Sequence, residues 1–465
     1  MRASFAVGSV SAGTGSPTLV QARATATNTR STCTSPITIG IPNPTLAGNC
    51  LILCAQADYG TTTAPTISDD QSSGIWSSPV VTSLISGGVR LDIFVGINCP
   101  AGITSLSVDY GSQTPTNNQF SVYEFYNVAQ SAAVDGHSSG TTTAGTITTT
   151  ANGDLVLCYG SQTSGSAVTA WTAGSAFQLL NASNYNSATD PSTFAECTVQ
   201  SSAGAITPTA GGSSGSLQMV AVALKAASAG TAPSGIRVTN VQGYDFYGGT
   251  SGLSGPWTCQ FPTRGNLIHL SFCALTTSAT PSGFSGMSDS AGNTYSTNGA
   301  PVTNSTDSSA GITQHAKAVN STPSLSNAIT FNYDQIATGS TTHIELYDIS
   351  GATAYAQATT AQGDQTVANS TLSTVSLTPS YSNELIINTC GIDAHTLSGL
   401  SGTGYLSIIA VAPNFNGGGT GFVSDDGFGH VYSSTATTFL YTVQNQSAGG
   451  INGVQGWVSQ SSAYR

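Results

Sequence analysis

The sequence predicts an all-β protein built from two tandem antiparallel β-sandwich domains of jelly-roll-like type. Three observations predict this class. Charged residues make up only 6% of the 465 residues, against about 25% in an average globular domain. Apolar residues are 39% of the chain, too many for a disordered protein, and they come in compact runs of strand length. Thr suits the exposed strand positions, and Gly, Ser and Asn suit the turns between the runs.

The apolar runs differ along the chain in a way that predicts strand position. Continuous runs at residues 51–53 and 155–157 are typical of central strands buried on both faces, and the half-alternating run 105–110 is typical of an outer strand. No segment longer than about ten residues has a 3.6-residue apolar period. The best helix candidate, residues 217–227, stands last in the first half of the chain, and residues 454–458 stand in the same place in the second. We therefore interpret both as closing strands.

An internal repeat divides the chain. Five features recur in the same order in both halves. They are a Gly-Asn before an apolar run (Gly48, Gly265), a Ser-Asp turn ending at an aromatic residue (Asp69, Asp289), a strand ending in Tyr (Tyr110, Tyr333), a strand YEFYNV or IELYDI (Glu124, Glu345) and an acidic residue opening an apolar strand (Asp154, Glu384). The equivalent residues of the first, second, fourth and fifth features are 217, 220, 221 and 230 residues apart. Insertions in loops between fixed strands explain an offset that grows slowly.

The repeat predicts four segments. Residues 1–17 form an N-terminal arm, 18–227 the first sandwich, 228–235 a linker of small residues with one Pro, and 236–465 the second sandwich.

Charge excludes two classes of partner. The formal net charge is −12, and the nine Lys and Arg residues are scattered singly, so no basic stripe is available for nucleic acid or for an anionic membrane surface. Ser and Gly interrupt every apolar run near the N-terminus, so the sequence shows no signal peptide. Either a signal peptide has been removed and a start Met added, or the protein is not exported by this route. No transmembrane span is present, so we predict no membrane insertion.

The turn pattern S-D-x-x-G-N-x-Y and the aromatic-flanked Glu strand resemble tandem β-sandwich (jelly-roll or immunoglobulin-like) modules of phage exterior proteins and secreted bacterial surface proteins. The resemblance covers both halves. It implies the sandwich fold and a location on an exterior surface.

Glu124 and Glu345 are the most interesting carboxylates. A Glu on a partly apolar strand face can have a raised pKa and act as a general acid, and a glycosidase needs a second carboxylate about 5–10 Å away. Asp92 is the candidate partner of Glu124, but the second half has no acidic counterpart. We favour a structural role, in which each Glu accepts backbone N–H groups and fixes a loop.

The acidic turns offer a weaker alternative, a Ca²⁺ site at Asp69 and Asp70, Asp289 or residues 425–426. None has the spacing of a calcium-binding loop, so we interpret Asp69 and Asp289 as anchors of their own turns. The six His residues show no metal-ligand spacing, and the Gly-rich segment 417–421 lacks the Lys of a phosphate loop. The sequence thus predicts no catalytic residue, no metal and no cofactor.

Nine cysteines leave at least one unpaired in a monomer. We expect Cys54 and Cys273 to be equivalent, and likewise Cys158 and Cys390, since their offsets from the repeat positions are all even. If the strands are neighbours, Cys54–Cys158 and Cys273–Cys390 are candidate disulfides. Buried free thiols are the alternative that we prefer.

These features favour a non-enzymatic structural protein of a virion exterior, such as a capsid decoration, head fibre or tail-fibre component. Its partners would be other virion proteins or copies of itself in a homo-oligomer, with adhesion to a host-surface glycan as an added role. The first alternative is a secreted bacterial adhesin or carbohydrate-binding protein, on the cell surface or outside the cell. The second is a glycan hydrolase on a sandwich scaffold.

Overall fold

A computed structural model gives the architecture of most of the chain. It describes residues 15–26, 35–58, 63–84, 89–113, 115–162, 168, 170–183, 192–212, 215–247, 256–276, 284–304, 310–333, 341–365, 371–373, 376–381, 383–393, 396–401, 406–408, 424–438, 440–444 and 455–465. Within these ranges all regular structure is β, which confirms the predicted fold class. No helix capable of crossing a membrane occurs in the described part of the chain.

The backbone contacts divide the chain into two compact units. Unit 1 comprises Met1–Ser234, Cys259–Arg264 and Ser324–Asn327, and unit 2 comprises Gly235–Thr258, Gly265–Pro323 and Ala328–Arg465.

The first half of the chain contains fifteen described strands. They are β1 (Thr18–Ala26), β2 (Ile37–Gly40), β3 (Cys50–Asp58), β4 (Thr66–Asp69), β5 (Val81–Leu84), β6 (Arg90–Gly96), β7 (Ser105–Asp109), β8 (Thr116–Tyr126), β9 (Val134–Thr141), β10 (Ile147–Thr149), β11 (Asp154–Gln162), β12 (Gln178–Ala182), β13 (Ser192–Gln200), β14 (Gly204–Ile206) and β15 (Leu217–Leu224).

The second half contains seventeen described strands. They are β16 (Arg237–Tyr247), β17 (Trp257–Gln260), β18 (Leu267–Thr276), β19 (Phe284–Asp289), β20 (Ser296–Thr297), β21 (Val302–Asn304), β22 (Ala310–Val319), β23 (Ala328–Tyr333), β24 (Thr341–Ser350), β25 (Tyr355–Gln365), β26 (Thr371–Ser373), β27 (Glu384–Asp393), β28 (Thr396–Ser401), β29 (Leu406–Ile408), β30 (Ser424–Ser433), β31 (Leu440–Gln444) and β32 (Gln455–Tyr464).

Unit 1 has two large sheets and two small ones. Sheet 1A has the strand order β1-β8-β3-β6-β5, and sheet 1B has the order β12-β13-β11-β15-β9. The small sheets are β2-β7-β4 and β10-β14. The strands β3 and β11, which carry the continuous apolar runs, lie in the middle of the two large sheets, as the sequence predicts.

These sheets stack as four layers. Ile52 of sheet 1A and Leu157 of sheet 1B belong to one buried cluster, so the two large sheets pack face to face. The other face of 1A packs on β2-β7-β4 through residues such as Leu53, and the other face of 1B packs under Trp171 and Ile147. We expected one two-sheet sandwich per copy. The small outer sheets add two layers, because both faces of the large sheets are apolar and need cover.

Unit 2 repeats this connectivity. Sheet 2A runs β16-β24-β18-β22, with β20 and β21 both pairing with β22, and sheet 2B runs β25-β32-β27-β30-β29. The small sheets are β17-β23-β19 and β26-β31-β28. The closing strands β15 and β32 hold the same place, each beside the central strand β11 or β27. The prediction that 217–227 closes the first copy as a strand is confirmed for Leu217–Leu224.

A β-bulge fixes the register between the copies and corrects one predicted equivalence. In unit 1 the ladder between β1 and β8 skips from Leu19 to Gln21, which faces Glu124. In unit 2 the ladder between β16 and β24 skips from Val238 to Asn240, which faces Asp348. The counterpart of Glu124 is therefore Asp348, and the match with Glu345 was wrong by three residues. The aromatic flanks of both acidic residues produced the error.

Candidate functional site: the polar interior of unit 2

The two units differ most in the space between their large sheets. In unit 1 this space is filled by buried apolar side chains. In unit 2 one end of it stays apolar, around Leu267, Tyr347 and Leu385. At the other end the same ladder positions carry polar groups: Ile52 corresponds to His269, Cys54 to Ser271, Ile93 to His315, Val95 to Lys317, Tyr159 to Thr389, Val220 to Gln460, Val222 to Ser462 and Leu224 to Tyr464.

Two histidines form the centre of this polar interior. His269 on β18 and His315 on β22 are fully buried, and their rings meet edge to face with centroids 4.7 Å apart. Ser271 Oγ lies between them, 2.9 Å from His269 Nε2 and 3.4 Å from His315 Nε2. Strand alternation places His269 and Ser271 on the same face of β18, toward sheet 2B.

Sheet 2B supplies the other half of the network. Tyr464 OH bonds His269 Nδ1. Thr389 Oγ1 lies 2.8 Å from His315 Nε2, and Ser462 Oγ lies 2.8 Å from His315 Nδ1. The histidines of one sheet thus hydrogen-bond hydroxyl groups of the other, where unit 1 has apolar side chains at the same ladder positions. A buried hydrogen bond between Tyr123 and Asn181 also joins the two large sheets of unit 1, at other positions.

Asn298 extends the network toward the surface. Its Nδ2 donates to Ser462 Oγ at 2.9 Å and to Tyr464 OH at 2.8 Å. Its Oδ1 accepts from Lys317 Nζ at 2.5 Å, and Lys317 Nζ stands 3.9 Å from the centroid of the Tyr355 ring. The amide orientation is therefore fixed by a cation on one side and two hydroxyl oxygens on the other.

A groove of ≈ 440 Å³ opens beside Asn298. Its walls are the segment from Asn298 to Thr303 and residues of β25, among them Tyr355 and Gln362. Asn298 is itself buried, so it separates the interior network from the groove.

Burial sets the electrostatics of this site. It lowers the pKa of His269 well below its ordinary value, with His315 and Lys317 adding to the effect. It lowers the pKa of His315 to about 3, and it also lowers the pKa of Lys317. Burial therefore favours the neutral form of both rings near pH 7, because a charged ring would lose its hydration.

The pairing of Ser271 with His269 has the donor and acceptor types of an activated nucleophile. The geometry supports a different reading. Ser271 and both rings are fully buried, at positions in mid-strand between two sheets, and the outer ring nitrogens bond hydroxyl groups rather than a carboxylate. What this arrangement can do chemically is hold or release protons within a closed core.

Glu124 anchors a loop. It is fully buried, its Oε1 accepts from Leu46 N at 2.9 Å and Asn49 Nδ2 at 2.6 Å, and its Oε2 accepts from Gln21 Nε2 at 2.5 Å. Leu46 and Asn49 belong to the loop that leads into the central strand β3.

Asp348 anchors the equivalent place in unit 2. The backbone N–H of Gly265, which leads into β18, lies 2.9 Å from Asp348 Oδ1, and Thr239 Oγ1 donates to Oδ2 at 2.6 Å. Glu345, by contrast, pairs with Ser271 and Gly243 on its two neighbouring strands. Gly243 suits this place, since a Cβ atom there would lie only 2.9 Å from Glu345 Oε1.

Asp92 does not complete a carboxylate pair with Glu124. It faces Ala55 across β3, whereas Glu124 faces Leu51, four residues and roughly 13 Å along the strand. Its oxygens bond Arg90 at 2.6 and 2.9 Å. The hydrolase alternative thus loses its acid pair.

The turns at Asp69 and Asp289 are closed by their own residues, whereas residues 425–426 lie on strand β30 and Asp70 accepts from Thr104 N. Asp69 accepts from the backbone of Gln71 and Ser73, both at 3.0 Å, and from Trp76 Nε1 at 3.0 Å. Asp289 accepts from Asn293 N at 2.9 Å and Tyr295 OH at 2.6 Å. No group of three or more His, Cys, Asp or Glu residues in the described ranges has metal-binding geometry.

The cysteines form neither candidate disulfide. Cys54, Cys158, Cys273 and Cys390 are buried thiols that belong to no disulfide, and burial raises the pKa of the Cys54 and Cys158 thiols. Cys54 lies on β3 of sheet 1A and Cys158 on β11 of sheet 1B, in separate clusters. The ladders also pair the cysteines differently from the sequence prediction, because Cys54 corresponds to Ser271 and not to Cys273.

Several sequence candidates lie beyond these observations. His395 and the Gly-rich segment 417–421 fall outside the described residues, as do residues 1–14 of the predicted arm. The polar interior was not predicted from the sequence. The sequence does indicate it in one place, because β32 (QGWVSQSSAY) has polar residues where its equivalent β15 (LQMVAVAL) is apolar.

Comparisons with known proteins give no family. No family model and no curated protein matches the chain. One solved structure is described as "The Triple Jelly Roll Fold and Turret Assembly in an Archaeal Virus". Its sequence is 12% identical to this chain, and the alignment covers 72% of this chain and 89% of the other chain, with a TM-score of 0.17. A TM-score of this size is too low to establish a common fold, and it carries no weight for function.

Proposed function

We propose that the chain is a non-enzymatic structural protein of a virion exterior, a capsid decoration, head-fibre or tail-fibre component. The observation that carries the proposal is the engagement of the candidate carboxylates. Glu124, Asp69 and Asp289 bond loop or turn groups, and Asp92 bonds Arg90. Acidic side chains used in this way hold loops in place, so the candidate pair of Glu124 and Asp92 is not arranged for hydrolysis.

Composition supports the exterior location. With 6% charged residues and a net charge of −12, the polar surface is built mainly from Ser, Thr, Asn and Gln. Such a surface repels nucleic acid and suits contact with other proteins or with glycans. Loops carried on rigid layered sheets suit adhesion or spacing.

The arm at residues 1–17 is the proposed anchor to the shell or to another copy of the chain. Its Ser- and Gly-broken sequence has too few apolar residues for a core of its own, a composition that suits a segment that docks on another surface. Deleting residues 1–17 should leave both units folded by circular dichroism and abolish incorporation into particles, scored by mass spectrometry of purified virions. Normal incorporation of the deleted protein would refute the anchor.

The alternative function, a secreted adhesin or carbohydrate-binding protein, draws on the groove beside Asn298. Polar side chains from Thr359, Thr360 and Gln362 line it together with Tyr355, a composition that suits a sugar. A glycan array with the full chain and its Tyr355→Ala variant tests this. Binding that is lost in the variant, together with absence of the protein from purified virions, would favour the adhesin.

A further inference from the structure

The hydrogen bonds of the unit 2 interior are consistent with one set of proton positions. Asn298 Nδ2 donates to Tyr464 OH, so the Tyr464 hydroxyl is free to donate to His269 Nδ1. His269 Nε2 then carries the proton and donates to Ser271 Oγ. We assign these positions from the network, since each hydroxyl has one proton to give.

The second ring follows from the first. Thr389 donates its hydroxyl proton to the single lone pair of His315 Nε2 at 2.8 Å, and Ser271 Oγ, at 3.4 Å, is a second and weaker donor. His315 Nδ1 then carries the ring proton and donates to Ser462 Oγ, which also accepts from Asn298 Nδ2. With both rings neutral, each of the four ring nitrogens has a hydrogen-bond partner of the matching type.

Protonating either ring breaks this pattern. A proton on His269 Nδ1 would face the hydroxyl proton of Tyr464, and a proton on His315 Nε2 would face the hydroxyl protons of Ser271 and Thr389. A partly satisfied buried network costs more than an apolar core.

Other charged and titratable groups lie on the strands around the two rings. On β22 the facing cation is Lys317, whose Nζ is held by Asn298. On β24, the buried Glu345 lies directly opposite Ser271 in the ladder, so the two side chains are on the same face of sheet 2A. The other titratable side chains on the facing strands are Tyr347, Tyr464, His430, Tyr432, Cys273 and Cys390.

We propose that the polar interior makes unit 2 acid-labile: uptake of protons by His269 and His315 separates sheet 2A from sheet 2B, while unit 1 keeps its apolar interior closed. The buried histidine network is present in unit 2, and unit 1 has apolar residues at the equivalent positions, so unit 1 serves as an internal control. Asn298 and the groove beside it give protons a short route from solvent.

Linkage gives the size of the effect. A His that is neutral in the fold and titrates near 6.5 when unfolded destabilises the fold by about tenfold per pH unit below 6.5. Acidification from pH 7.5 to pH 5.5 should therefore lower the folding constant of unit 2 by about tenfold per ring, or about a hundredfold for both. This window lies above the ordinary range of Asp and Glu.

Hydrogen exchange of the full chain, resolved to peptides by mass spectrometry, tests the proposal. After correction for the intrinsic pH dependence of exchange, peptides from β18, β22 and β32 should lose about a hundredfold of protection between pH 7.5 and pH 5.5. Peptides from β3, β6 and β15 should not lose protection. Equal loss in both units, or none in unit 2, would overturn the proposal.

Variants separate proton uptake from general instability. The double variant His269→Gln, His315→Gln keeps polar side chains that do not titrate, and it should remove the pH dependence whatever its stability at pH 7.5. The double variant His269→Ile, His315→Ile installs the residues of unit 1 at the same positions. His137→Gln, on β9 of unit 1, is the matched control and should change nothing. Persistence of the full pH dependence in both double variants would assign it to other groups.

Discussion

Units 1 and 2 have the same pattern of strand pairing but different side chains in the space between their two large sheets. Both have a central strand flanked by the same partners and the same bulge in their first strand. Yet one interior is apolar and the other holds two buried histidines with their hydroxyl partners. The comparison teaches that the layered fold tolerates an exchange of interior chemistry if each buried polar atom finds a partner.

The exchange has an energetic consequence. Each buried aliphatic side chain contributes about 1.5–3 kcal/mol, whereas a typical hydrogen bond contributes about 0.5–1.5 kcal/mol net. Unit 2 thus gains less from this end of its interior. It gains specificity instead, because its network forms only in one register of the two sheets.

The largest expected loss of stability follows from removing the two carboxylates that anchor loops, Glu124 and Asp348. Similar losses would support the equivalence of these two residues. Glu124→Ala and Asp348→Ala should each cost about 3–5 kcal/mol, since several charge-assisted hydrogen bonds worth about 1.5–3 kcal/mol each are lost. Urea unfolding measures the change in the free energy of unfolding. Hydrogen exchange at the Leu46 and Gly265 amides shows which loop has lost its anchor. If Glu345→Ala released the Gly265 amide and Asp348→Ala did not, the register would be wrong.

The next prediction transplants one residue of unit 2 into unit 1. Ile52→His places a polar ring against Ile93, Val222 and Leu224 with none of the unit 2 hydroxyls. It should cost about 3 kcal/mol, from lost apolar burial and an unsatisfied ring nitrogen. Ile52→Val, the control, should cost about 1 kcal/mol by urea unfolding. Equal costs would show that unit 1 also has partners for a histidine.

A third prediction gives unit 1 the opposite response to acid. Burial raises the pKa of Glu196 to about 7, partly offset by the Gly174 N–H that bonds it, and burial with the neighbouring Asp135 raises the pKa of Asp154 to about 6. A raised folded pKa means that the folded state binds more protons. This contribution to stability is therefore fully present below the unfolded pKa values of about 4, and it is lost as the pH rises from there through the folded values of about 6 and 7.

Glu196→Gln isolates the larger part of that response. In the wild type, unit 1 should be roughly 2–3 kcal/mol more stable at pH 5 than at pH 8 on account of Glu196, and the variant should lose this difference. Urea unfolding at both pH values, followed by exchange of β13 peptides, measures it. A wild-type unit 1 that weakens on acidification would contradict both this sign and the contrast with unit 2.

The smallest expected effect concerns a turn. Tyr295→Phe removes the hydroxyl that bonds Asp289 Oδ2 and should cost about 1 kcal/mol. Tyr381→Phe, at a side chain that is 49% exposed, is the control and should be neutral. Comparable costs for the two variants would show that Asp289 does not depend on this bond.

The sequence predicted what depends on strand patterning. The continuous runs in β3 and β11 indicated central strands, and the position of β15 at the end of the first copy indicated its closing role. The outer layers were missed because small sheets are short and their strands look like loops with scattered apolar residues. Glu345 was matched to Glu124 because a bulge changes the count within a strand, which letters alone do not show.

The polar interior could not be predicted for a different reason. His269, His315 and Tyr464 are far apart in sequence, and each alone is typical of an exposed strand position. Only the sheet order brings them together across the space between sheets 2A and 2B. The anchoring role of Glu124 was easier to foresee, since a lone carboxylate among apolar residues needs donors and a nearby loop offers them.

The order of strands within sheets 1B and 2B has a consequence for the speed of folding. The last strand of each copy, β15 or β32, lies between the edge strand and the central strand, so neither sheet can close before its whole copy has been synthesised. Contacts of such long sequence separation make folding slow and leave strand edges exposed while the ribosome is still at work. Until the last strand of a copy has been synthesised, these exposed strand edges are available to a chaperone or to another chain.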